Sequence, residues 1–201
     1  WYYCPHHKDE LELAKKYKNK TIDFTDYEVK NNSEELKEKW SKIAVSQDFI
    51  EANTTLNNVR DLINRRSPKS ALSMLEELKK NVWTNAEKVI KFRILANMGA
   101  SNLSLGNETE ACQFFIDAYQ YTPEDEKALS NIGLAHLISG DLSKAKEFAE
   151  KTLEKYPENL QATSILIQAS DDPDRDVFVK QLSKNVRNTS EVYFALGFVE
   201  L

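Results

Sequence analysis

The densest collection of reactive side chains lies at the start of the chain, in Trp1-Tyr2-Tyr3-Cys4-Pro5-His6-His7-Lys8-Asp9. A thiol, two imidazoles and a carboxylate this close together are the ligand types of a zinc site. A structural zinc needs four ligands, usually as two separated pairs. The remaining candidates are the lone Cys112 and His136. The ligand count therefore argues against a metal, and the plainer reading is a connection leaving an upstream domain. A Cys4–His nucleophilic pair is weaker still, because neighbours in an extended segment rarely point together. No phosphate-cradling Gly loop, Ser/His/Asp arrangement or pair of catalytic acids occurs. The Asp171-Asp172-Pro173-Asp174-Arg175-Asp176 run lacks the Gly and terminal Glu of a calcium loop and reads as helix capping. No catalytic residue, cofactor or metal is expected.

The chain has 201 residues, 41% hydrophobic and 29% charged, enough for one large domain or a short solenoid. With 5 Gly and 5 Pro it has too few turn formers for a β-sandwich. A net charge of −5, with scattered basic pairs such as Arg65-Arg66 and Lys79-Lys80, signals neither nucleic acid nor an anionic membrane. No apolar run approaches the ~20 residues that span a bilayer. Cys4 and Cys112 are too far apart in sequence to suggest a disulfide framework, so a reducing, cytoplasmic setting is expected. Asn102-Leu103-Ser104 spells a glycosylation triplet, but Asn102 falls in the middle of a helical pattern. Both ends look cut: there is no initiator Met, and Tyr193–Leu201 stops inside a motif.

The organising feature is a self-match at an offset of 34 residues. Gly99 repeats as Gly133, Gly106 as Gly140, Ala111 as Ala145 and Pro123 as Pro157. Such a period marks stacked helical hairpins. In 92–125, Leu95, Met98, Asn102 and Leu105 share one face of a first helix. Gly106 ends it, and Asn107 with Glu110 reads as a capping box for a second helix bearing Ala111, Phe114, Phe115 and Ala118. In 126–159 the same plan gives Leu129, Ile132, Gly133 and His136, then the Gly140-Asp141 turn, then Leu142, Ala145, Phe148, Ala149 and Leu153. Thr122-Pro123-Glu124-Asp125 and Asp172-Pro173-Asp174 read as helix starts.

These stretches resemble tetratricopeptide repeats. The matching residues are Leu95-x2-Met98-Gly99-x2-Asn102, Ala111-x3-Phe115 and Pro123, then Leu129-x2-Ile132-Gly133-x2-His136, Ala145-x3-Ala149 and Pro157. Asn102 and His136 stand where the family prefers Tyr, and Leu95 and Leu129 where it prefers Trp. The resemblance implies an all-α solenoid of antiparallel helical hairpins in a right-handed superhelix. Repeats 92–125 and 126–159 are clear. A degenerate repeat is expected at 52–85, with Thr55, Val59 and Leu62 before Ser67-Pro68, then Ala71, Leu75 and Leu78, and a connection lengthened around Trp83-Thr84-Asn85. Another is expected at 160–188, from helices near 158–170 and 174–186, and 189–201 opens a further repeat at Tyr193-x2-Leu196-Gly197. Residues 1–51 fall outside the period and read as an N-terminal cap or junction. A short helix is expected over Asp9–Tyr17, a short strand or an extended segment over Thr21–Val29, and a helix from Ser33 with Leu36, Trp40, Ile43 and Ala44 on one face.

In the family the first helix of each repeat lines a concave groove. The motif register then projects Arg93, Asn97 and Ala100 from one repeat and Lys127, Asn131 and Leu134 from the next. Amides and cations at matching levels suit the backbone and acidic groups of a bound peptide. They suit a solvated wall equally well. One family subclass grips chaperone C-terminal carboxylates. Lys127 and Asn131 fall on two of its positions, but Ala96 and Ala100 stand where Lys and Asn belong, and an amide replaces its Arg. Co-chaperone activity is thus disfavoured. The expected function is protein or peptide binding or scaffolding, with self-association through the end repeats left open. The alternative is a sensor or oligomerisation arm of a multidomain bacterial enzyme of nuclease or NTPase type.

Overall fold

The computed structural model describes the backbone of residues 33–199 and the side chains of 49–199. The expectations for Cys4, His6 and His7, for the 9–17 helix and for the 21–29 segment lie outside the described residues. The described residues form ten helices and no strand. They are α1 (Ser33–Asn64), α2 (Pro68–Val82), α3 (Lys88–Ser104), α4 (Glu108–Tyr119), α5 (Glu126–Ile138), α6 (Leu142–Lys155), α7 (Leu160–Ala169), α8 (Asp172–Gln181), α9 (Lys184–Arg187) and α10 (Ser190–Val199). Two compact units divide the chain at Ala44/Val45. The second, from Val45 on, is a tetratricopeptide-like solenoid of antiparallel hairpins. It takes in residues 45–51, upstream of the expected start of the repeats.

Three turns of this unit share one local geometry. The Gly106 N–H bonds the Leu103 carbonyl and the Asn107 N–H the Asn102 carbonyl, a Schellman closure. Gly140 and Asp141 do the same with Leu137 and His136, and Arg66 and Ser67 with Ile63 and Leu62. The closing residue has positive φ each time: 80° at Gly106, 78° at Gly140 and 58° at Arg66. The degenerate first hairpin therefore turns as the clear ones do, without the glycine that marks them in the sequence.

Behind the turns, the second helices bury equivalent positions. Ala71, Leu75 and Leu78 in α2 correspond to Ala111, Phe115 and Ala118 in α4 and to Ala145, Ala149 and Thr152 in α6. The spacing is 40 residues across the first pair and 34 across the second. The extra length lies in the helices, 15 residues in α2 against 12 in α4 and 17 in α3 against 13 in α5. The connection at 83–87, expected to be lengthened, is a residue shorter than the one at 120–125. There Trp83 packs edge-on to Tyr121, ring centroids 5.9 Å apart.

Several details depart from the expected pattern. In α1 the core stripe is Ala52, Leu56 and Val59, with Thr55 only half-buried beside it. Asn107 makes no side-chain cap bond, so the expected capping box does not form. Helix α5 starts at Glu126, capped by Asp125 through the N–H groups of Lys127 and Ala128, three residues after the Pro123 start. Leu142 is exposed because it occupies the first, outward-facing position of α6. The expected 174–186 helix is two pieces: Leu182 leaves helical geometry, and the Ser183 hydroxyl caps α9 by accepting from Val186 N–H.

The last hairpin is the loosest. Helix α8 has no buried residue, while α10 packs on α7 through Val192 and Ala195. The turn from α7 to α8 has no glycine. Arg175 replaces it: its Nε donates to the Ile167 carbonyl at 2.9 Å and its Nη2 to the Ser170 carbonyl at 2.6 Å. The guanidinium thus satisfies carbonyls that the end of α7 leaves open.

Candidate peptide groove

Among the first helices of successive hairpins, polar side chains tie α1 to α3 and α5 to α7. Arg93 of α3 sits between two amides of α1. Its Nη1 donates to Asn53 Oδ1, and its Nη2 to Asn57 Oδ1 at 3.0 Å. From α7, Gln161 Nε2 donates to Asn131 Oδ1 at 3.2 Å and to the Ser130 carbonyl at 3.3 Å on α5. Asn159 Nδ2 reaches Glu126 Oε1 at 2.8 Å.

The six expected groove residues differ in burial and partners. Arg93 and Asn97 are half-buried, and Asn97 Nδ2 donates to the Arg93 carbonyl at 2.7 Å, one turn back on its own helix. Ala100 is half-buried. Lys127 is exposed, with no ion pair among the described residues. Asn131 is half-buried and linked to Gln161. Leu134 is half-buried and packs on two core clusters, one with Ala145 and Ile165, the other with Ala111 and Cys112. The motif register did not point to Asn53, Asn57 or Gln161. All three lie in degenerate repeats, and only the count of Asn and Gln on the first-helix positions hinted at them.

Charge is unevenly balanced here. Arg93 is bonded only to neutral amides, and among the described residues no carboxylate pairs with it. Burial first, and the nearby Arg60 second, push its pKa below the ordinary value. Arg60 has a 4.0 Å contact with Asp61. The Arg93 guanidinium remains a cation at neutral pH, fixed in place and, among the described residues, without a counter-charge.

Other polar groups are structural. Asn102 and His136, the two residues at the family's Tyr position, each reach the residue five further on that starts the next helix. Asn107 Nδ2 donates to Asn102 Oδ1 at 3.1 Å, and His136 Nδ1 lies 3.8 Å from Asp141 Oδ2. His136 also stacks on Phe148 with 6° between the rings. Asn102 is buried inside α3, which rules out a glycan there. Cys112 is buried and its thiol donates to the Ala135 carbonyl at 3.4 Å. Among the described residues no three His, Cys, Asp or Glu side chains cluster as metal ligands, and no helix is long and apolar enough to cross a membrane.

The comparison with solved structures decides the fold. A crystal structure of MamA superposes with a TM-score of 0.51 at 20% identity, over 79% of this chain and 84% of that one. The fold is a tetratricopeptide-like helical array. The MamA RS-1 ArsTM double mutant gives 0.49 at 20% identity over 73% of this chain and 71% of that one. MamA 41-end from Desulfovibrio magneticus RS-1 gives 0.48 at 20% over 74% and 92%. Similarity at this level of identity speaks for the fold alone. No family model and no curated protein matches the sequence.

Proposed function

We propose that this chain is a protein-interaction scaffold, and that the row of first-helix side chains binds an extended peptide carrying an acidic residue. The observation that carries this reading is Arg93, a cation held rigidly by Asn53 and Asn57 with no carboxylate partner among the described residues. A peptide carboxylate placed there gains a charge-assisted hydrogen bond to a donor whose geometry is already set. Lys127, exposed and without an ion pair among the described residues, adds a second positive charge on the next first helix. The Asn131 and Gln161 amides offer donors and acceptors to the peptide backbone between them. Nothing among the described residues favours the enzyme-arm reading over this one.

The test is fluorescence anisotropy with a library of labelled extended peptides, acidic, neutral and basic, against the whole chain. Acidic peptides should bind best and lose affinity as salt rises. Lys127→Ala and Asn131→Ala should each weaken binding, and Arg93→Ala should weaken it by about tenfold or more, as loss of a charged hydrogen bond implies. Equal affinity for acidic and basic peptides would reject the groove. So would unchanged binding in all three variants.

A further inference from the structure

Arg60 is a groove residue that the repeat pattern does not reveal. The 40-residue spacing that sets Arg66 against Gly106 and Ala71 against Ala111 also sets Arg60 against Ala100, and Leu134 takes that place one hairpin on. On α1, Asn53, Asn57 and Arg60 stand at i, i+4 and i+7, so the three share one face of the helix. Asn53 and Asn57 are the amides that hold Arg93. Arg60 therefore lies one turn along α1 from Asn57, near enough to Arg93 for the two charges to repel.

This end of the groove is built of donors. Arg93 spends one N–H on Asn53 and another on Asn57, and its remaining side-chain N–H groups take no partner among the described residues. Asn57 accepts through Oδ1, which leaves its Nδ2 amino group as a further donor. The two amides pin Arg93 without neutralising it, where carboxylates in their place would have done both. The Arg60 side chain is 60% exposed, and its 4.0 Å contact with the exposed Asp61 beside it in sequence is worth little. Two guanidiniums thus face one stretch of groove with no strong counter-charge among the described residues.

We infer that the Asn57/Arg60/Arg93 end of the groove takes a phosphoserine or phosphothreonine of the bound peptide, with one phosphate shared between the two guanidiniums. This rests on the groove reading above and narrows its acidic residue to a phosphorylated one. A single carboxylate neutralises one cation and leaves the other without a partner. A phosphate carries about −1.5 to −2 charges and three acceptor oxygens, so it answers both guanidiniums and the Asn57 amino group together. An isolated phosphate on a short peptide also suits the rest of the chain. A polyanion or an anionic bilayer would bring many charges against a protein of net charge −5. The next two hairpins carry Ala100 and Leu134 in place of Arg60, which confines the site to the step between α1 and α3.

Fluorescence anisotropy with the 201-residue chain tests this, using labelled pools of short peptides that are degenerate except for a central phosphoserine, aspartate or serine. The phosphoserine pool should bind about tenfold tighter than the aspartate pool, the effect of one added charged hydrogen bond. Arg60→Ala should cancel most of that advantage, with helical circular dichroism unchanged because the side chain is exposed. Arg60→Lys should keep part of it. Arg93→Ala should weaken both acidic pools. Phosphoserine binding no tighter than aspartate binding overturns the inference, as does an Arg60→Ala loss that is equal in the two pools. In either case the groove reading stands on aspartate binding through Arg93. Acidic pools that bind no better than the serine pool overturn both. Competition identifies the source of the phosphate. Unlabelled phosphopeptide should displace the labelled pool at lower concentration than inorganic phosphate, a single-stranded oligonucleotide or anionic vesicles. A better competitor among those three would make this a free-anion, nucleic-acid or membrane site and overturn the assignment to a phosphopeptide.

Discussion

Gly99 and Phe115 are in such close contact that a Cβ built on Gly99 would lie 2.5 Å from Phe115 Cε1 and 2.7 Å from Cδ1. Phe115 is itself buried in the cluster with Ala111, Cys112 and Ala135, so the ring has little room to retreat. The matching pair in the next repeat is looser: a Cβ on Gly133 would be 3.4 Å from Phe148 Cβ and 3.5 Å from Ile165 Cδ1. Gly99→Ala should therefore cost about 1–3 kcal/mol by overpacking. Gly133→Ala should be near neutral, since ordinary contact is offset by roughly 1 kcal/mol of helix propensity. Urea melts of the two variants followed by circular dichroism would show the difference. Equal destabilisation would mean that the motif glycines are not distinguished by their aromatic neighbours.

Arg66 closes the α1–α2 turn at φ 58°, where Gly106 and Gly140 close the later turns. A side chain in that region costs on the order of 1 kcal/mol that glycine does not. The Arg66 side chain is exposed and makes no hydrogen bond or ion pair among the described residues. Arg66→Gly should thus stabilise the protein by about 1 kcal/mol, a rise of a few degrees in Tm. Gly106→Ala and Gly140→Ala should lower it by similar amounts. A fall in Tm for Arg66→Gly would show that the arginine supplies something besides the turn.

These turns also show what was legible in the sequence. Gly106 and Gly140 announce their conformation because positive φ leaves few other choices, and Ala111 and Ala145 announce close helix contact because little else fits. Arg66 hides the same turn behind a residue that tolerates it at a cost. The 34-residue offset carried the architecture through its small residues, while cap details followed hydrogen bonds that no periodicity encodes. Thus Pro123 suggested a start that Asp125 supplies. In the groove, Arg93 was legible from the motif register, but its partners Asn53 and Asn57 lie 40 and 36 residues upstream, off the 34-residue period. The offset that aligns Gly99 with Gly133 does not extend to them.

The α7–α8 turn depends on Arg175, whose side chain is 14% exposed and bonds Ile167 O, Ser170 O and Asp172 Oδ1. Arg175→Ala leaves two helix-end carbonyls without their charged donor, a loss of about 1.5–3 kcal/mol. Arg175→Lys should recover little, because one ammonium cannot span the same fork. Hydrogen exchange should speed up first in α7 and α8, with α3 to α5 unchanged. Uniform exchange across the chain would mean that the clamp stabilises the whole array and not this hairpin.

Asp141 gives the pH dependence its sign. Its carboxylate accepts from Lys144 N–H, and that backbone bond, followed by the Lys144 ammonium, holds its pKa below the ordinary 3.8. The lowered value means that the unfolded state binds the proton more readily than the native one. The contribution to stability is therefore present above the unfolded pKa and is lost as pH falls through the folded one. Asp141→Asn retains a capping side chain and removes only the charge. The variant should melt below the parent at about pH 6, and the two should converge as pH falls through the folded pKa and the parent carboxylate becomes protonated as well. The His136 imidazole, 3.8 Å away, is a second group facing this carboxylate, so the comparison should be repeated in His136→Gln. A gap between Asp141→Asn and parent that persists unchanged into acid would show that the amide fails as a cap and that the carboxylate charge is not the cause.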